Sequence, residues 1–304
     1  MIDKKRALTF NILAVTCWAI APAMMHSVKD YFSVNFQNMF RYLVSLGFLW
    51  PYFFFSLGRE KSFESIRKLL GMFPRILGIA LVNYFFQISY TLGVFKLLPG
   101  IFTLIIQSQI MFSVFLAMIF FADERRTLKN PVFITGMIAA IIGVVLTITG
   151  GRELGKVEFN IGVIVTLVSA GCWAMVGALI KKWLPSIPPA LSVTSVLTVV
   201  TPLFFLTYIL AQGGLHIPSV PLSGWILMLL SGLIGVGLGQ SFYYRAVPVL
   251  GIALASSIGL LTPFIASLVS YIVFGERMTI IQILGGFFLI SGSYLVIRIR
   301  FSHI

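Results

Sequence analysis

Polar residues in this chain come in short clusters, separated by apolar runs of about 20 residues, the length that crosses roughly 30 Å of hydrocarbon. These runs predict ten spans, at residues 8–26, 34–57, 73–96, 99–121, 131–150, 159–181, 190–211, 223–246, 249–274 and 279–299. The connections between them are short, and none holds an inserted soluble module. The expected fold is an all-α membrane protein with ten transmembrane helices.

The runs also repeat. Asn11-Ile12-Leu13 leads into Cys17-Trp18-Ala19, and Asn160-Ile161-Gly162 leads into Cys172-Trp173-Ala174. Gln87-Ile88-Ser89-Tyr90 is answered by Gln240-Ser241-Phe242-Tyr243, and Glu124-Arg125-Arg126-Thr127 by Glu276-Arg277-Met278-Thr279. The offset is about 150–155 residues throughout, which marks a duplicated unit. We expect one repeat at residues 1–152 (spans 1–5) and a second at 153–304 (spans 6–10). Five spans per copy is an odd number, so the second copy enters the membrane upside down. Two inverted five-helix repeats are how many secondary transporters build two access states from one unit.

Composition agrees: 59% hydrophobic residues, 10% charged and a mean hydropathy of +1.01 exclude a soluble globular chain. Lys4, Lys5 and Arg6 before an apolar run that ends in Ala19-Ile20-Ala21 look like a secretory signal. Pro22 would directly follow the cut, and the same segment recurs uncut in the second copy, so it reads as a retained helix. Cys17 and Cys172 hold equivalent mid-helix positions and read as small packed residues, with neither a disulfide nor a metal site expected.

A net charge of +13 raises nucleic acid as a partner, but the cations have another explanation. Lys4, Lys5, Arg6, Arg59, Lys61, Arg67, Lys68, Arg75, Arg125, Arg126, Lys129, Lys181, Lys182, Arg245, Arg298 and Arg300 fall on one side of the ten-span arrangement, and Lys29, Lys96, Arg152, Lys156 and Arg277 on the other. This positive-inside bias places both termini in the cytoplasm of a multi-pass cell (inner) membrane protein. The expected partners are the lipid bilayer and a small-molecule substrate, without nucleic acid, for a monomer or weak homodimer.

All nine acidic residues fall in loops or at span ends. A mid-membrane carboxylate is the usual coupling group of proton- or sodium-driven carriers, and its absence argues against such a cycle. Arg41 is the one charge well inside a span, about two turns or roughly 10 Å from the end of span 2. Its planar fork suits a substrate carboxylate or phosphate. The competing reading has it snorkel outward or pair with backbone carbonyls.

A polar and aromatic set recurs at matching depths of both copies. Trp18 and Trp173 lie near the middles of spans 1 and 6, away from the interfaces where Trp collects. Tyr84, Gln87 and Tyr90 share one face of span 3, and Gln240, Tyr243 and Tyr244 are their counterpart on span 8. Gln107 and Gln109 sit in mid-span 4, near the depth of Thr262-Pro263 in span 9. Buried amides in lipid need partners, so they face other helices or a wet cavity. As a set, Trp18, Arg41, Tyr84, Gln87, Gln107, Trp173, Gln240 and Tyr243 are the expected substrate-binding residues, since aromatic walls with a few polar groups make a small-molecule pocket. Interhelical hydrogen bonding is the alternative for any one of them.

Other features read as architecture. Ser231, Gly235 and Gly239, and likewise Gly136 and Ala140, have the small-xxx-small spacing that lets helices approach. Thr279 with Gln282 predicts a capping box opening span 10, and Thr127 precedes Pro131 at the start of span 5. Pro22, Pro51, Pro202 and Pro263 lie within spans as candidate kinks. Residues 62–73 place Phe63, Ile66, Leu69 and Phe73 on one stripe beside Arg67 and Lys68, which predicts a short helix on the membrane surface.

Taken in order, these motifs resemble the drug/metabolite transporter superfamily, specifically its EamA-type members. The resemblance rests on Cys17-Trp18-Ala19 and Cys172-Trp173-Ala174, on Phe40-Arg41, and on Gly259-Leu260-Leu261-Thr262-Pro263-Phe264 running on to Phe274-Gly275-Glu276-Arg277. It covers nearly the whole chain. It implies a ten-helix carrier with a central cavity that moves small metabolites by alternating access, amino-acid exporters being well represented. One departure is that the family's Ser-Pro near the middle of span 4 is replaced by Gln107-Ser108-Gln109. The first functional expectation is a secondary transporter of a small polar or zwitterionic, amino-acid-like metabolite, in the efflux direction and without a cofactor. A lipid or polyprenyl-sugar flippase, or an importer of another metabolite, is the alternative. An enzyme is not expected, because His26, His216 and His303 lie at span ends or outside them.

Overall fold

The computed structural model describes residues 3–57, 59–120, 130–150, 161–250 and 252–302. The Glu124-to-Thr127 junction, Arg152, Lys156, Asn160 and His303 lie outside them. The elements in order are α1 (Lys4–Ser27), α2 (Val34–Leu57), α3 (Arg59–Gly71), α4 (Phe73–Lys96), α5 (Pro99–Ile106), α6 (Gln109–Phe120), α7 (Pro131–Thr149), α8 (Ile161–Trp183), α9 (Pro189–Gln212) and α10 (Leu222–Gly232). A π-helical segment (Leu233–Leu238) follows, then α11 (Gly239–Leu250), α12 (Ile252–Gly259), α13 (Thr262–Phe274) and α14 (Ile280–Ser302).

Eight helical stretches among the described residues are long and apolar enough to cross a membrane. α2 matches them in length at 24 residues but carries Gln37, Asn38, Arg41 and Ser45 on buried positions, which lowers its apolarity. α3 is the expected surface helix, begun three residues earlier than the stripe indicates. Large apolar side chains such as Phe85, Ile138, Leu210 and Phe287 point outward, while the polar groups of α2 are buried. That is the arrangement lipid selects, because backbone and side-chain polar groups find partners only inside.

Three spans that read as continuous are interrupted. In span 9, Pro263 has no N–H, and its ring excludes a bond to the carbonyl four residues back, that of Gly259. The chain breaks at Leu260-Leu261, and the freed Gly259 carbonyl accepts from the Thr262 hydroxyl at 2.7 Å and the Gln107 amide at 3.3 Å. In span 4 the backbone tightens at Gln107-Ser108, whose N–H groups bond three residues back to Leu104 and Ile105. No proline lies there, and the tightening forms without one. In span 8, residues 233–238 widen into a π-helix, a local form associated with functional sites.

Packing follows a twofold plan. Span 1 packs on span 8 as α1 on α11, and its image is span 6 on span 3, α8 on α4. α2 with α9, α5 with α13, and α7 with α14 pair equivalent spans across the axis. The α7–α14 pair is the tightest. A methyl group at Gly292 would lie 2.4 Å from the Gly136 carbonyl, and one at Gly143 would lie 2.3 Å from the Leu289 amide nitrogen. Small residues there let the backbones touch, extending the expected Gly136–Ala140 stripe.

The two ends of the bundle differ. At the end away from the Lys4–Arg6 cluster, Gly275 adopts φ +66°, a left-handed conformation that favours glycine, and ends α13 so that the chain turns back. The next residue, Glu276, is 7% exposed and accepts from the Gly100 and Ile101 amides at the start of α5, at 2.8 and 3.0 Å. Thr279 and Gln282 form the expected capping box, with Thr279 N donating to Gln282 Oε1 at 2.9 Å and Gln282 N donating to Thr279 Oγ1 at 3.2 Å. α7 is capped by Asn130, which accepts from Val132 N at 2.9 Å.

Candidate functional site

The polar residues of α2 recur at positions 38, 41, 42 and 45, one helical face, which turns toward α4 and the π segment. Asn38 and Gln87 exchange bonds: Asn38 Nδ2 donates to the Gln87 carbonyl at 3.3 Å and Gln87 Nε2 to Asn38 Oδ1 at 3.2 Å. The Tyr42 hydroxyl lies within hydrogen-bond distance of Gln87 Oε1 (3.0 Å) and Asn83 Oδ1 (3.2 Å), and Thr91 donates to Asn38 Oδ1 at 2.6 Å. Gln87 is therefore fully engaged in tying α2 to α4.

Its counterpart Gln240 is placed differently. It lines a cavity of about 80 Å³ with Leu49, Tyr52, Phe53, Ala190, Ser241, Tyr244 and Arg245, and its amide bonds to no other described residue. The cause is legible in the chain: facing span 7 offers hydroxyls such as Ser192, Thr194 and Ser195 but none of the amides that α2 supplies. The cavity lies toward the cation-rich end, where Arg245 Nε donates to the Tyr52 hydroxyl at 2.6 Å and its guanidinium lies over the Tyr52 and Phe10 rings, at 4.8 and 5.6 Å.

Trp18 meets Tyr243 at 5.2 Å between ring centroids and lies against Gly239, where a methyl would come within 2.7 Å of its Nε1. Tyr243 also bonds the Ser256 side chain. Trp173, the image of Trp18, packs on Phe86 at 4.9 Å. Tyr84 stacks on Phe204 at 4.8 Å, within the apolar core between α4 and α9. Gln107 joins the two broken spans and accepts from Gln109 at 3.1 Å. The structure thus brings Trp18 and Tyr243 together between α1 and α11, leaves Gln240 in a cavity that neither of them lines, and engages Gln87, Tyr84 and Trp173 in helix packing.

Arg41 lies between these halves. It is 3% exposed, and its Nε and Nη1 have no hydrogen-bond partner. A methyl at Gly235 of the π segment would lie 3.5 Å from Nη2, and one at Gly232 would lie 2.8 Å from the Arg41 carbonyl. Ser45, one turn on, donates within hydrogen-bond distance of both the Arg41 and Gly232 carbonyls, at 2.6 and 2.9 Å.

Asn38, Tyr42, Tyr52, Arg245 and Glu276 were absent from the expected site. The period-3.6 run of polar residues on α2 carried the signal for Asn38 and Tyr42. For Tyr52 with Arg245, and for Glu276 with Gly100, nothing local announces a contact across the duplication.

Helices broken at matching places of two repeats, joined there through Gln107, fit the architecture of a membrane transporter of small molecules. The sequence model of the EamA-like transporter family matches residues 5–149 and again residues 160–298. The chain therefore belongs to the EamA-like transporter family, within the drug/metabolite transporter superfamily. A Haemophilus influenzae protein described as an uncharacterized transporter is 25% identical over 187 residues, 61% of this chain and 62% of the relative, so the match spans under two thirds of that protein. A solved structure described as "Crystal structure of protein" superposes with a TM-score of 0.64 over 96% of both chains at 14% identity, which shows the fold alone.

Proposed function

We propose that the chain is a secondary transporter that carries a small polar or zwitterionic, amino-acid-like metabolite out of the cell by alternating access between two inverted repeats. Ten spans with both termini cytoplasmic, in the inner membrane, as a monomer or weak homodimer, complete the reading. The observation that carries it is the unequal state of two equivalent glutamines. Gln87 is closed onto α2, and Gln240 stands free in a cleft. Equivalent elements of inverted repeats in unlike environments are what one access state of such a carrier requires.

The outward direction is supported by which end is open. The Gln240 cleft lies toward the cation-rich end, which the positive-inside bias assigns to the cytoplasm, while the Glu276–α5 contact closes the other. Cargo then enters from inside. Tyr52, Phe53 and Tyr244 supply the aromatic wall of the cleft and Gln240 its free amide, and the remaining expected residues, Trp18, Tyr84, Gln87, Gln107, Trp173 and Tyr243, shape the path that opens in the opposite state. Vesicles reconstituted with the protein and loaded with a labelled mixture of amino acids test the reading. Release above that of protein-free vesicles is expected, and equal release from both would refute it.

A further inference from the structure

We propose that Arg41 is an anion subsite for a single carboxylate, so that the cargo of this transporter is a carboxylic acid held by that group; this rests on the transport reading above and sharpens its substrate class. An arginine inside a span has two ordinary fates, snorkelling to the interface or pairing with a carbonyl or carboxylate inside. The structure contradicts the first, since the side chain is 3% exposed. It contradicts the second too, because Nε and Nη1 are buried without a hydrogen-bond partner, and among the described residues the ionisable groups that act on the guanidinium are the Tyr90 and Tyr42 hydroxyls. A buried guanidinium left in this condition is costly, and a partner that arrives and leaves removes the cost for part of a cycle.

The surroundings define what that partner is. Gly235, within the π segment, faces the guanidinium at Nη2, so that nitrogen meets a backbone without a side chain. The Nε–Nη2 edge of the fork suits the two oxygens of a planar carboxylate. A phosphate ester carries close to two negative charges and calls for more than one cation. Among the described residues no second cation acts on Arg41, so the match is to a monoanion. Nearby, the Tyr90 ring packs on Phe86 and Phe102, and the Trp18–Tyr243 pair lies farther along the bundle toward the Gln240 cleft. The carboxylate end of a cargo is thus placed near Arg41, with the rest directed toward aromatic surface.

The test compares acids with their amides on the purified full-length chain in detergent, reading thermal unfolding with L-alanine, propanoate, alaninamide and propanamide as probes. Ligands that bind the folded state raise its melting temperature. The two acids are expected to stabilise and the two amides not. Arg41→Gln is expected to raise the half-effective acid concentration about tenfold or more, and Arg41→Lys, which keeps the charge but not the fork, to fall between. Amides that stabilise as well as acids, acids without effect, or an Arg41→Gln protein that responds like the unmutated one would each overturn the subsite. If Arg41→Gln does not fold, the acid–amide comparison on the unmutated chain still decides. Transport of amides and acids alike refutes the subsite and leaves the carrier standing. Acid-selective stabilisation with no transport of any probe does the reverse.

Discussion

The Glu276 carboxylate and the Gly100 amide, 176 residues apart in the chain, meet at 2.8 Å, with the adjoining Ile101 amide at 3.0 Å on the second oxygen. A helix N-terminus has unpaired N–H groups and partial positive charge, and a carboxylate satisfies both. Here the acid comes from the opposite repeat, so a helix-capping interaction ties the two repeats together at this end of the bundle.

Replacing Glu276 by Gln keeps the size but leaves one oxygen to accept. We expect a loss of about 1–2 kcal/mol, seen as a lower melting temperature. A cysteine at Thr103, buried one turn below the contact, should also react faster with an impermeant maleimide. Unchanged melting and unchanged labelling would show that the contact does not hold this end shut.

Gln87 and Gln240 should respond differently to the same change. Gln87→Leu strips partners from Asn38 and Tyr42 in a buried network, and about 1–3 kcal/mol of stability should go with it. Gln240→Leu removes no hydrogen bond to another described residue, and its melting temperature should stay within a degree or two of the parent's, about 0.5 kcal/mol or less. Equal destabilisation by both would contradict the asymmetry on which the access state rests.

The α7–α14 contact predicts intolerance of any side chain at Gly292. Gly292→Val drives a Cβ to 2.4 Å from the Gly136 carbonyl, and we expect about 2 kcal/mol or more of destabilisation or loss of folded yield. Gly47, with nothing within 4 Å of a built Cβ, is the control and should accept Ala with little effect. Normal yield and melting for Gly292→Val would contradict the packing.

Topology is checked by impermeant thiol labelling in intact cells, with Cys17 and Cys172 replaced. A cysteine at Lys29 should label from outside and one at Lys182 should not. Labelling at Lys182 would invert the orientation and with it the direction of transport.

The span pattern was readable because lipid punishes unpaired polarity, so apolar runs mark helices almost directly. Duplication was readable because Trp18 and Trp173, and Gln87 and Gln240, kept their residue types. The interruption at Pro263 was half-legible: proline marks the place, but the fate of the freed Gly259 carbonyl depends on Gln107, which lies in the other repeat. The break at Gln107-Ser108 has no local breaker, and the π segment at 233–238 sets Gly232 and Gly235 against Arg41, a contact made only in the folded bundle. Equivalence by sequence also concealed the difference that matters. Gln87 and Gln240 look alike in the chain, and only the amides on the buried face of α2, where α9 has hydroxyls, separate their roles.

Counterflow into proteoliposomes tests the central claim most directly, comparing the unmutated chain with Gln240→Leu at equal amounts of folded protein. Vesicles loaded with unlabelled amino acids should draw in external label through the unmutated chain, and Gln240→Leu should slow that uptake about tenfold, the effect of one lost cargo hydrogen bond. No uptake by the unmutated chain, or equal uptake by both, would contradict a carrier whose cargo site lies on the Gln240 side of the bundle.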